Sequence, residues 1–246
     1  MLNDPALMEF RHAYYSLFVQ LWWREPSADF IASLMTDMGE RIEAAAEVHP
    51  LMGEGWRTMA QYLDTHAPED AAEAYTHLFL GPYGPAVQPY ESFYLTGYLF
   101  RAPLVNVRAF LQGVGLEKDD DAFAEPEDVL AFELEVMRWL VGKQMSAVDP
   151  DETAQWLHQQ MVCLKHHVLV WVPACARDIE QAAQELGFYR GAAQLLRGFL
   201  EVERQMFWEL DIEPVATLEE ARRPYRNDVI WEGPSFDAGA TEDVNG

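Results

Sequence analysis

The stretch EPEDVLAFELEVMRWLV, Glu125 to Val141, has the apolar period of a helix and one charge on the side that should be covered. At about 100° per residue, a helix starting near Glu127 sets Val129, Leu130, Phe132, Leu134, Val136, Met137, Leu140 and Val141 on one arc, with Glu133 near its centre. So wide an apolar side needs other helices to cover it. Asp128 and Glu135 fall off the arc and are expected to reach solvent. A carboxylate on the core side is costly unless paired. Glu133 is therefore expected to be a buried brace, accepting hydrogen bonds from the preceding loop or from an arginine such as Arg101 or Arg108.

Outward from this helix the same period recurs almost everywhere. Pro5 to Trp23 is rich in Leu, Phe, Tyr and Trp; Glu25-Pro26 breaks it before a helix that Ser27 can cap. Another helix is expected from Gly55 to His66, and Pro68 opens the next, which Gly81-Pro82 closes. Tyr94 to Leu111 reads as helix interrupted at Pro103, with Gly113 as its stop. Asp149-Pro150-Asp151-Glu152 reads as a cap with its box glutamate, starting a helix that Pro173 should kink or end. A last helix is expected from Arg190 to Leu210, after which the period fades. No strand-length alternation or fixed repeat competes. The fold class is all-α: a single helical-bundle domain of about eight to ten helices over residues 1–210, with an irregular extension over 211–246.

Composition removes whole classes of function. A chain of 246 residues, half of them apolar, buries a full core without needing metals or disulfides. Its net charge of -24, from 41 acids against 17 Lys and Arg, repels phosphate backbones and anionic membranes. Nucleic acid is not expected as a partner, and a cationic peptide would be attracted. Cys163 and Cys175, if on one helix, stand about 18 Å apart, too far to bond. No basic region precedes an apolar core at the N-terminus, and no apolar run is long enough to cross a bilayer, so a reducing cytoplasm is expected. His158, His166 and His167 lack metal-ligand spacing and read as core or surface histidines. There is no Gly-rich phosphate loop and no nucleophile with a base at a motif spacing; no enzyme activity, cofactor or metal is expected.

A second stretch, YTHLFLGPYGPAVQPYESFY from Tyr75 to Tyr94, runs from a helix end into a loop of Gly, Pro and aromatics. Pro89, Tyr90, Glu91, Ser92 and Tyr94 allow two readings: a turn packing its rings on the bundle, or a peptide contact with aromatic surface for apolar side chains and Glu91 for a basic end. Glu125, Pro126 and Asp128 have a local explanation as a helix start, where the two acids complement the dipole; the acids' free lone pairs could also face a guanidinium.

Together these segments resemble the TorD/DmsD/NarJ family of cytoplasmic maturation chaperones for molybdenum enzymes. Tyr75, Leu78, Phe79, Gly81, Pro82, Pro89, Tyr90, Glu91, Ser92 and Tyr94 match its first motif; Glu125, Pro126, Asp128, Glu133, Leu134 and Met137 match its second. Val129 stands where the family usually has His. The resemblance implies a chaperone that binds the cofactor-free catalytic subunit of a reductase of the dimethyl-sulfoxide-reductase type. Binding would be at a twin-arginine signal peptide or its N-terminal remnant, until molybdopterin cofactor is inserted. The expected client contacts are Pro89, Tyr90, Glu91, Ser92, Tyr94, Glu125, Pro126 and Asp128, with Glu133 as brace or contact, in a monomer or homodimer without stable membrane insertion. The competing readings are an assembly subunit retained in the mature complex and, from another class, a nucleotide-hydrolysing enzyme.

Overall fold

A computed structural model describes residues 2–81, 84–184, 187–208 and 215–225. Among them no strand occurs; an isolated bridge pairs Tyr90 with Val129, antiparallel. Helix α1 (Pro5–Trp22) is capped by Asp4, which accepts from the Leu7 amide at 3.1 Å, and α2 (Ala28–Leu34) is capped by Ser27. Then come α3 (Met38–Val48), α4 (Pro50–Leu63) and α5 (Pro68–Tyr75), which widens into a π-turn at Thr76–Leu80 and stops at Gly81, φ +36°. The short α6 (Glu91–Thr96) precedes α7 (Ala102–Val114) and α8 (Leu130–Ser146). Next, α9 (Pro150–Cys163) and α10 (Leu169–Ala182) form one rod through a π-turn at Leu164–Val168, followed by α11 (Gly187–Trp208) and α12 (Leu218–Arg222).

The core gathers on α11. It packs most closely on α4, where Gly191 faces Gly55: a Cβ on Gly191 would fall 2.5 Å from the Gly55 carbonyl oxygen. Gly198 does the same further along, within 2.8 Å of the Met52 amide. These glycines let two helix backbones touch. On the neighbouring face of α11 Phe199 receives the rings of Tyr14, Tyr15 and Phe18 from α1 at centroid distances of 5.5, 5.0 and 5.4 Å. Helix α1 also lies on α8, and α8 on α9.

A polar chain crosses this core and was not foreseen. Arg11, fully buried, forks onto Glu203 of α11 at 2.6 and 2.8 Å and donates to Gln160 of α9 at 2.7 Å. Tyr15 adds a hydroxyl to Glu203 at 2.7 Å. Gln160 donates in turn to Gln144 of α8, whose amide reaches the Leu2 carbonyl and Asn3. Burial alone would weaken the charge on Arg11, but the Glu203 carboxylate more than offsets it and raises the guanidinium's pKa.

Several local expectations change. Pro173 does not end the helix: it lies inside α10, which runs on to Ala182. Pro103 sits in the first turn of α7 instead of interrupting a helix, and α7 closes at Gly115, φ +74°, not at Gly113. Asp149 caps α9 through the Asp151 amide, while Glu152 turns forward to Trp156 and closes no box. The extension beyond 211 is not wholly irregular: Thr217 and Glu220 form a capping box around α12. Residues 209–214 and 226–246, including Leu210 and the acidic end of the expected tail, lie outside the described residues.

Candidate functional site

The two sequence motifs meet through their backbones. The Glu91 amide donates to the Asp128 carbonyl and the Leu130 amide to the Pro89 carbonyl, both at 2.8 Å, flanking the Tyr90–Val129 bridge. Asp128 then caps α6 from a distance in sequence, its Oδ2 accepting the Ser92 amide at 2.9 Å. A carboxylate at a helix start satisfies an orphan donor and complements the dipole. The expectation that Asp128 reaches solvent is therefore corrected: it is completely buried. Helix α8 begins at Leu130, so the helical phase drawn from Glu127 does not extend to Asp128. Glu135 is half-buried and forks onto Arg138 at 2.6 Å.

Beneath this junction lies a buried acidic pair. Glu91 Oε2 is 3.0 Å from His167 Nδ1, and Glu133 Oε2 accepts the Trp171 indole N–H at 2.9 Å. Burial, and after it the negative charge of Glu91, holds the Glu133 carboxyl well above the usual carboxylate range, against the Trp171 hydrogen bond. A neutral Glu133 can donate to Glu91. The partners differ from those expected: Arg101 lies over the Tyr98 ring, and Arg108 forks onto Glu127 at 3.0 and 2.9 Å. Trp171 supplies the donor because α10, not the preceding loop, covers that part of α8.

Tyr94 is buried too, its hydroxyl on Asp178 at 2.7 Å and its carbonyl accepting from Arg222 of α12 at 2.7 Å. Burial, Cys175 and Asp178 together raise its pKa far above that of a free tyrosine. Glu91, Ser92, Tyr94, Asp128 and Glu133 thus form the interior of the junction. Pro89, Tyr90 and Pro126 are half-buried and Glu125 is exposed. The Tyr90 hydroxyl donates to Glu125 at 2.8 Å, and its pKa is raised by burial and then by that carboxylate. Lys118 bonds the Glu125 carbonyl at 2.8 Å and pairs with Asp120. Beyond α6, the turn to α7 exposes Tyr98 and Phe100, the latter at φ +58°, a strained conformation for an aromatic residue.

His167, Trp171 and Asp178 escaped the sequence reading as parts of the site. Trp171 and Asp178 stand seven residues apart on α10, a spacing that marks one face, but nothing in the sequence pairs that face with α6. Cys163 and Cys175 are buried free thiols on the α9–α10 rod. Among the described residues, no cluster of three His, Cys, Asp or Glu is placed to hold a metal ion, and no helix is long and apolar enough to cross a membrane.

A family model described as "Nitrate reductase delta subunit" matches residues 45–177, which include both sequence motifs, His167 and Trp171, and stop just short of Asp178. Three bacterial proteins named Chaperone protein TorD are similar. That of Ferrimonas balearica is 27% identical over 212 residues, 83% of this chain and 93% of that protein. That of Aeromonas salmonicida is 33% identical over 122 residues, 48% of this chain, so the match spans 52% of its length. That of Photobacterium profundum is 26% identical over 154 residues, 61% of this chain and 70% of that protein.

Proposed function

Because this chain belongs to the nitrate reductase delta subunit family, a family of non-enzymatic chaperones, we propose that it holds the cofactor-free catalytic subunit of one molybdenum enzyme in the cytoplasm until molybdopterin is inserted. The client is of the dimethyl-sulfoxide-reductase type, and the handle is its twin-arginine signal peptide or N-terminal remnant. The observation that supports this most is the division of the junction into a rigid inside and a reachable outside. Glu91, Ser92, Tyr94, Asp128 and Glu133 fix the backbone of the loop by buried hydrogen bonds. Pro89, Tyr90, Glu125 and Pro126 are then presented on a frame that needs little ordering when a peptide arrives.

In this reading Glu125 meets a guanidinium, while the Tyr90 ring and the two prolines take apolar side chains. Glu91 and Asp128, offered by the sequence as contacts, act by shaping the loop. No bond is made or broken. The test is fluorescence polarisation with a labelled peptide carrying paired arginines before an apolar stretch. Tyr90→Ala and Glu125→Gln should each weaken binding by about threefold to thirtyfold, the range of one charged or aromatic contact. Tyr90→Phe should weaken it less. A folded parent that binds neither this peptide nor the cofactor-free subunit would refute the assignment.

A further inference from the structure

Of the fourteen arginines in this acidic chain, four gather around one surface trough. Arg190, Arg197 and Arg204 recur every seven residues along α11, so they form a single stripe, and Arg177 of α10 stands beside it. They border two adjoining hollows of about 570 and 680 Å³ that share Arg177 and Arg197 as a common rim. The first mixes apolar groups such as Leu51, Leu169, Pro173 and Leu218 with Glu201 and Thr217; the second is polar, with Glu180, Gln181 and Gln184. Arg197 is paired with Glu180 and Arg204 with Glu201. Arg177 and Arg190 are exposed, and neither makes an ion pair among the described residues. The trough therefore carries an excess of positive charge beside apolar surface, on a molecule whose overall charge is strongly negative.

We propose that this trough is a second docking surface, for a partner-protein segment in which carboxylates flank aliphatic side chains. Charge complementarity selects the carboxylates: two guanidiniums have no internal pair among the described residues and are available for forked contacts. The apolar hollow next to them selects against a bare anion, which would leave the half-exposed Leu51, Leu169 and Leu218 uncovered. The net negative charge excludes acidic chains elsewhere on the surface, so the segment is directed to this face. None of the junction residues lines the trough. The surface is thus chemically opposite to the one offered to a basic signal peptide.

The experiment uses the full chain and three probes: a short labelled peptide alternating Asp-Glu pairs with Leu-Val pairs, its Asn-Gln counterpart, and inorganic pyrophosphate. The acidic peptide should bind, and the doubly substituted Arg177→Glu, Arg190→Glu protein should lose about tenfold or more in affinity at unchanged melting temperature. The amide peptide should bind far more weakly than the acidic one. Tyr90→Ala should leave this binding untouched, which separates its outcome from that of the signal-peptide test. Equal binding by the substituted protein, or no binding by the parent, would overturn the proposal. Displacement of the acidic peptide by equimolar pyrophosphate would overturn it in favour of a phosphate ligand.

Discussion

Between the ordinary carboxylate range and its own raised value, Glu133 keeps a proton in the folded chain that it has lost in the unfolded one. Its contribution is complete below the unfolded pKa and is lost as pH rises towards the folded value, by up to about 1.4 kcal/mol per unit. Glu133→Gln imitates the neutral carboxyl, since its carbonyl can accept from Trp171 and its amide can donate to Glu91. The variant should match the parent in acid and exceed it in denaturant midpoint as pH rises; parallel pH profiles would refute a neutral Glu133. Glu133→Leu leaves the Trp171 N–H unmatched and should lose about 1–3 kcal/mol, with peptide affinity falling only as the fold loosens. If instead it melts like the parent yet no longer binds client, Glu133 is a contact. Its burial was legible in the helical phase of Leu134, Met137 and Val141. Its partners were not, because Trp171 lies across the bundle and no local spacing announces it.

At the scale of elements, the glycines of α4 and α11 make the sharpest prediction. Gly191→Ala places a methyl group 2.5 Å from the Gly55 carbonyl oxygen and 2.7 Å from the Met59 amide, so the helices must separate. The variant should be destabilised by about 1–3 kcal/mol in urea unfolding, whereas Gly113→Ala, with open space around the new methyl, should not be. Most helices and their caps could be read from Pro, Ser, Asp and the apolar period. The π-turns could not, since each is a single five-residue turn, too short to show a period of its own. Helix α12 is too short to show a period, although Thr217 followed by Glu220 is the capping-box signal that would have located it. The junction between α6 and α8 rests on backbone hydrogen bonds, which any sequence can form; only the order of the two motifs hinted at it.

For the molecule as a whole, charge and shape act separately. A net charge of -24 speeds the approach of a basic peptide without holding it in place. Raising ionic strength should lower the association rate for the paired-arginine peptide and leave its dissociation rate nearly constant in stopped-flow measurements. A dissociation rate that rises just as steeply would mean that the arginines supply the grip. The all-helical class was evident from composition and period together, and the surplus of acids was plain. The arginine trough was legible only in part: Arg190, Arg197 and Arg204 repeat every seven residues, but Arg177 joins them only when α10 lies on α11.

The pairing of Arg11 with Glu203 also constrains when the molecule can exist. The two residues are 192 positions apart, so synthesis from the N-terminus makes the cation long before its anion. At about 5–20 residues per second the interval is about 10–40 s, during which α1 has no counter-charge to carry into a core. A nascent chain stalled before residue 203 should therefore remain open to proteases along α1 even with both recognition motifs already made. The last long helix acts as a latch on the first, and a ribosome-bound fragment would carry the motifs without the frame that presents them.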